Sequence, residues 1–308
     1  MNGIAYRPNY IALHRSGELR KRGEALWDRM KACDLCPREC GVNRLEGETG
    51  TCGATSMLRV ASFGPHYGEE SELMGVGGSG TIFFSHCNLR CVFCQNWDFS
   101  HEGDGVDCSI EDLAEMMLNL QERSVSNINI VTPTHYAPHV LLALDIAASR
   151  GLRVPLVYNT SGWEQTGVLR QLDGIVDIYL ADFKYTDPEK ATVYSAGAAT
   201  YPQVCKEALI EMNRQVGVAR PERNGVIFRG LMIRHLVMPG DASGSLEAIR
   251  WIADHLPAST YVNIMQQYRP AFRAHQYPEI NRPVSTEEYD AVVAEAVRCG
   301  LDNPGLAY

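Results

Sequence analysis

No apolar run in this 308-residue chain approaches the roughly 20 residues of a membrane-spanning helix. The opening stretch, MNGIAYRPNYIALHRSGELRKRG, holds no apolar segment of the kind that opens a secretory leader. Basic residues are the minority: 28 Lys and Arg against 37 Asp and Glu leave a net charge of −9, the wrong sign for a general nucleic-acid binder. Internal repeats and low-complexity tracts are absent. So is a dinucleotide fingerprint in its proper context, because GVGGSG (75–80) leads into a strand instead of joining a strand to a helix. Together these absences read as a soluble, cytoplasmic protein without membrane or nucleic-acid partners.

The chain does have enough apolar residues for a full core, 45% of the total, and ten cysteines. In a reducing compartment cysteines serve as ligands or buried thiols more often than as disulfides. These fall into groups. Cys33, Cys36, Cys40 and Cys52 form one, and Cys87, Cys91 and Cys94 another. Cys108, Cys205 and Cys299 stand apart and read as small buried hydrophobes.

Residues 15–33 have a helical pattern with a charged face. The Cys-rich stretch 33–53 that follows is too polar to pack unaided. From about residue 80 strands alternate with helices. Strands are expected at 81–87, 128–132, 155–159, 176–183, 225–237 and 260–267. Helices are expected at 109–123 (N-capped by Ser109), 139–149, 163–172, 200–216, 245–256 and 285–300. Six βα units imply right-handed crossovers and a parallel sheet, either open or partly closed into a barrel. SFGPHYGEE (62–70) reads as a solvated loop. Its His66, Glu69 and Glu70 offer an alternative role, an acid pair clamping a cationic group.

Cys87, Cys91 and Cys94 begin where the first strand ends, the edge at which parallel α/β proteins build active sites. Three thiolates hold three irons of a [4Fe–4S] cluster and leave the fourth iron open, whereas a closed electron-transfer cluster takes four. A zinc site of three Cys with His86 is the alternative, although neighbouring strand residues point to opposite faces. Cys33, Cys36, Cys40 and Cys52, spaced C-x2-C-x3-C-x11-C, suggest a closed metal site. Only one C-x2-C pair is present where zinc sites usually have two, so a second [4Fe–4S] cluster is favoured over zinc.

The run Cys87-x3-Cys91-x-Phe93-Cys94 at the end of the first strand resembles the radical S-adenosylmethionine (SAM) superfamily. NLRCVFCQN (88–96), YNTSGWE (158–164), YLADFKY (179–185), MIRHLVMPG (232–240) and IMQQYRP (264–270) are similar to the PflX-like and pyruvate formate-lyase activating enzyme branch. The resemblance implies a partial (β/α)6 TIM-like barrel over residues 80–308, with residues 1–79 as a helix and a four-cysteine metal-binding extension. It implies that the open iron chelates SAM, which is reductively cleaved to a hydrogen-abstracting 5′-deoxyadenosyl radical. Phe93 would lie near the adenine. Asn96, Asn159 and Thr160 would contact the cofactor, and Lys184 and Arg234 would neutralise the SAM carboxylate, with Asp182 holding Lys184. Where that branch carries a Gly-Gly-Glu-like segment for the SAM amino group, this chain has VTPTHYAPH (131–139), offering Thr132, Thr134 and backbone carbonyls. His135 is a further candidate there, as a catalytic or an orienting group. The implied partners are SAM, a low-potential electron donor such as flavodoxin or ferredoxin, and a protein substrate. Activation of a glycyl-radical enzyme is one expected role. Modification of another peptide, protein or small molecule is the alternative, and a non-catalytic iron–sulfur carrier or redox sensor is the remaining class.

Overall fold

In the computed structural model, which describes residues 6–222 and 224–301, eight strands form one sheet. They are β1 (Leu58–His66), β2 (Ser79–Phe84), β3 (Val106–Cys108), β4 (Ile128–Val131), β5 (Leu156–Thr160), β6 (Ile178–Asp182), β7 (Gly230–Leu236) and β8 (Tyr261–Met265). Their order is β3-β1-β2-β4-β5-β6-β7-β8. The six strands expected from sequence pair in parallel from β2 to β8. The sheet does not close, which fits a partial barrel. The helices are α1 (Tyr10–Arg15), α2 (Glu18–Asp28), α3 (Ser71–Met74), α4 (Trp97–His101), α5 (Ile110–Glu122), α6 (Ala137–Ser149), α7 (Thr166–Gln171), α8 (Pro188–Tyr194), α9 (Tyr201–Val216), α10 (Ser245–His255) and α11 (Thr286–Arg298). None is long and apolar enough to cross a membrane.

Local chemistry sets several boundaries. Ser109 caps α5 in a reciprocal capping box with Asp112, and Ser285 does the same for α11 with Glu288. The helix expected over 15–33 begins at Glu18, after Gly17 at φ 76, and continues through α2 and a 3-10 turn to Ala32, whereas the short α1 before it was not expected. Helix α8 was not expected, although Asp187 accepting the Glu189 N–H with Pro188 as first helical residue is an N-terminal signature.

Over 62–66, β1 corrects the reading of residues 62–70 as a loop, while 67–70 remain outside any strand or helix. It runs antiparallel to β2 from Val60↔Phe84 to His66↔Ser79, with an irregularity between Val60 and Ser62, and pairs with β3 on its other side only over Leu58–Val60. Beyond that no described strand pairs with its outer edge, which is where Pro65 is tolerated. Its second half is partly exposed, so no clean alternation marked it as a strand. The expected boundary at 79/80 falls one residue inside β2, the strand that pairs with β1. α1 and α2 also pack on α6, and Tyr10, Leu19, Leu26 and Met30 join the main core.

Along the barrel interior the period-2 pattern changes character. Val157, Ile178, Leu180, Met232 and Tyr261 form an apolar floor with Leu73. Two residues further along each strand the same face presents Asn159, Asp182, Arg234 and Asn263. The register sets Asp182 beside Arg234 and Arg234 beside Asn263.

The GVGGSG segment turns out to be a packing device. A side-chain carbon at Gly77 would lie 1.9 Å from the Ser124 carbonyl oxygen. Gly77→Ala should therefore destabilise the protein by on the order of 1–3 kcal/mol, read by denaturant unfolding, because the obstacle is backbone that cannot swing aside.

Candidate active site

The C-terminal ends of the parallel strands surround a cavity of about 270 Å³. The loop after β2 contributes Cys87, Cys91, Phe93, Cys94 and Asn96. Thr132 follows β4, Asn159 and Thr160 end β5, Asp182 and Lys184 come from the end of β6, and Arg234 from β7. The structure thus brings together every expected cofactor-contacting residue except Thr134.

Thr134 is fully buried away from the cavity, and its hydroxyl donates to Glu164 Oε1 at 2.6 Å. Glu164 was not singled out from the sequence. It is wholly buried, and it also accepts hydrogen bonds from the Thr160 hydroxyl and from Tyr158 OH at 3.5 Å. Burial pushes its pKa up to about 7, against the pull of these donors. A Glu four residues past Thr160 resembled any other turn carboxylate; only the fold closes three hydroxyls around it. His135 also points away from the cavity. Its Nε2 lies 2.9 Å from the Ser85 carbonyl oxygen, while its Nδ1 has no partner among the described residues.

The charged wall is one connected network. Asp182 accepts Lys184 Nζ on Oδ2 at 2.7 Å and Arg234 Nε on Oδ1 at 2.8 Å. Arg234 Nη2 donates to Asn159 Oδ1 at 2.7 Å. Burial would raise the Asp182 pKa, but Arg234 and Lys184 outweigh it and hold the carboxyl below its ordinary value. Burial likewise opposes charge on Lys184, yet Asp182 raises its pKa. Glu69 sits beneath, with Oε2 3.8 Å from Arg234 Nη1 and its side chain 8% exposed, so the solvated-loop reading of this residue is also corrected. Burial pushes the Glu69 pKa up to about 7; Arg234 opposes this and Glu70 adds to it. Glu70 Oε1 accepts Asn263 Nδ2 at 3.0 Å.

Each thiol of the loop has a hydrogen-bonding neighbour. The Leu89 N–H donates to Cys87 Sγ at 3.4 Å, the Ser195 hydroxyl to Cys91 Sγ at 3.2 Å, and Ser100 Oγ lies 3.2 Å from Cys94 Sγ. Burial pushes the Cys91 thiol up to about 12 and raises Cys87, so both must lose protons to bind metal. Phe93 is buried edge-on to Tyr268 and Tyr185. Three non-glycine residues here hold left-handed backbone: His86 (φ 70), Arg90 (φ 54) and Thr132 (φ 57). His86 does not border the cavity. Its ring fills the space beside Gly53 and Gly103, where a side-chain carbon at Gly103 would come within 2.7 Å.

Cys33, Cys36, Cys40 and Cys52 border a second, smaller pocket with Arg38, Arg44, Gly50 and His135. A side-chain carbon at Gly50 would lie 2.6 Å from Cys40 Sγ. Arg44 is 1% exposed and places Nη1 3.9 Å from Cys33 Sγ; Nη1 also donates to the His135 carbonyl, and Nε and Nη2 donate to that of Thr55. Burial pushes the Cys36 thiol up to about 12 and raises Cys52. Among the described residues, no three His, Cys, Asp or Glu side chains converge on a single ion-sized point. Four thiols beside a buried cation are nevertheless a donor set that fits a metal–thiolate centre. Cys108, Cys205 and Cys299 lie outside both groups, and none of the ten cysteines is in a disulfide.

Glu164 yields a pH test. Its folded-state pKa lies above the ordinary 4.5, so the fold holds an extra proton across that window and loses stability as pH rises towards 7. Glu164→Gln should be more stable than wild type at about pH 8 by on the order of 1–3 kcal/mol. Denaturant titrations across the window should give the variant a slope lower by one proton's worth. Glu69 and Asp177, whose pKa burial raises to about 6, keep their own contributions.

No protein-family model matches the chain. It is 32% identical over 284 residues to the uncharacterized protein MJ0674 of Methanocaldococcus jannaschii, an alignment covering 88% of this chain and 76% of that protein. It is 22% identical over 293 residues to the uncharacterized protein MJ0808 of the same organism, covering 86% and 78%. Among solved structures, a radical SAM methyltransferase from Sphaerobacter thermophilus superposes with a TM-score of 0.50 at 14% identity, covering 95% of this chain and 90% of that one. That likeness is one of fold. On the identity and coverage of the first relative, the chain belongs to the family of MJ0674, and it carries the fold of a radical SAM enzyme.

Proposed function

We propose that the protein is a radical SAM enzyme that cleaves SAM reductively and abstracts a hydrogen atom from its substrate. The observation that carries this reading is the meeting of Cys87, Cys91 and Cys94 with the Asp182–Lys184–Arg234 network in one cavity. In it, Cys87, Cys91 and Cys94 would hold a [4Fe–4S] cluster, which when bound would supply one-electron reduction of the SAM sulfonium. The chain's own residues bind, orient and exclude water. Lys184 and Arg234 present cations to the SAM carboxylate, and Asp182 fixes both in place. Arg234 in turn orients the Asn159 amide, which with Thr132, Thr160 and Asn96 borders the remaining space. Phe93, closed off by Tyr185 and Tyr268, offers an apolar edge for the adenine. The donors at Cys87 and Cys91 Sγ would favour the more negative, reduced state of a cluster held there.

Within this reading the branch resemblance supports an activating-enzyme-like role, fed by a flavodoxin- or ferredoxin-type donor, with a glycyl-radical protein as target. Modification of another peptide, protein or small molecule stands as the alternative target class. Residues 1–79 then supply a second metal centre through Cys33, Cys36, Cys40 and Cys52, which we read as [4Fe–4S] rather than zinc.

Anaerobically reconstituted protein with SAM and dithionite should form 5′-deoxyadenosine. Cys87→Ala, Cys91→Ala and Cys94→Ala should each abolish it, and full product from any of them would overturn the assignment. Lys184→Ala and Arg234→Ala should each weaken SAM binding by roughly tenfold or more in calorimetry without changing iron content, since each removes a shielded charge-assisted contact. Wild-type protein should hold about eight irons, and Cys33→Ala about four, if both sites carry cubanes. Loss of one zinc from the variant would identify the second centre as zinc.

A further inference from the structure

Arg38 lies between two cysteines of the N-terminal group, Cys36 and Cys40, yet its guanidinium is spent elsewhere. Nε donates to the Asn88 carbonyl at 3.0 Å, and Nη2 to the Leu89 carbonyl at 3.5 Å; both belong to the loop joining Cys87 to Cys91. Nη1 donates to the Ala196 carbonyl at 2.6 Å, and Nη2 also reaches the Ser195 carbonyl at 3.1 Å. Ser195 is the residue whose hydroxyl donates to Cys91 Sγ, and its oxygen is held in turn by Tyr185 OH at 2.9 Å. The guanidinium face covers the Trp163 ring at 4.8 Å, and the Trp163 carbonyl accepts Asn88 Nδ2 at 3.3 Å. The guanidinium's hydrogen bonds to Asn88, Leu89, Ser195 and Ala196 all go to main-chain carbonyls. Its charge lies within electrostatic reach of Cys36, Cys40 and Cys52 on one side and Cys87 on the other.

We propose that Arg38 couples the two cysteine sites. The metal held by Cys33, Cys36, Cys40 and Cys52 fixes the backbone on either side of Arg38. Arg38 then sets the position of the Cys87–Cys91 loop and of Ser195, and places a positive charge beside the open cluster. It is a positioning residue; it does not touch SAM. The inference rests on the radical SAM reading, and it adds to that reading a dependence of the open cluster's reduction on the integrity of the distant site. A cation that both approaches the cluster and holds the donor to Cys91 makes electron uptake easier, because an electron adds negative charge to the cluster.

The test uses full-length, anaerobically reconstituted protein, titrated with dithionite and followed by electron paramagnetic resonance with and without SAM. Wild type should give a reduced-cluster signal that SAM perturbs. Arg38→Gln should keep the iron content of both sites and the SAM-perturbed signal. At fixed potential its open cluster should be reduced roughly tenfold less, about 59 mV for one electron. Cys36→Ser, which empties the second site, should give a shift of the same sign. The double variant should not exceed the larger single effect, whereas independent sites would add. Arg38→Lys retains the charge and loses the fork. It should recover part of the potential but not the wild-type line shape, and it decides the matter if Arg38→Gln fails to fold. A potential and signal unchanged in both Arg38 variants, with wild type behaving as described, would overturn the coupling alone. Additive shifts in the double variant would also overturn it. A wild-type signal indifferent to SAM would overturn the radical SAM reading, and this inference with it.

Discussion

Two cations stand inside one barrel because a single carboxylate lies between them. Lys184 and Arg234 both point into the interior, where burial works against charge, and Asp182 accepts from each. Removing one partner of such a buried pair typically costs about 3–5 kcal/mol, since the other is left uncompensated. The strand register makes the arrangement possible: Asp182 pairs with Arg234 on adjacent parallel strands, so their side chains leave the sheet on the same face at the same height. Beneath them the same face is apolar, and Glu69 meets Arg234 from the segment after β1. The network therefore needs the barrel floor, the parallel register and the N-terminal strand together.

The two cysteine groups depend on the same placement. The Cys87–Cys94 loop leaves β2 through His86 in a left-handed conformation, which turns its ring towards Gly53 and Gly103 and away from the thiols. His86 is thereby packed beside the N-terminal group, whose last cysteine, Cys52, immediately precedes Gly53. Arg44 reaches from that group to the carbonyl of His135 in the loop after β4, and Arg38 reaches to the Cys87–Cys91 loop. Residues before position 80 are thus built into the walls around the site, through a strand of the sheet, two helices on α6 and two arginines.

Much of this was legible from one sequence. The six parallel strands show runs of β-branched and aromatic residues, and among their helices α5 and α11 open on capping boxes. Those signals are local, so they survive without knowledge of partners. The three closely spaced cysteines after the first strand were equally plain, as was Asp182 two residues from Lys184. β1 escaped because its outer half has no buried face to impose alternation. α1 escaped because a helix of six residues without a side-chain cap carries little local signal.

Periodicity and spacing by themselves pointed to a parallel α/β sheet and to the thiol groupings, and the partial barrel came from the family resemblance. Only the tertiary structure decided what the individual side chains meet. Thr134 turned away from the cavity to a carboxyl 30 positions later in the chain. Glu69 became a buried neighbour of Arg234, and Arg38 crossed from one cysteine group to the loop of the other. In each case the partner lies on a different strand or loop, and only the packing of the folded chain brings such pairs within hydrogen-bond reach or excludes water from them.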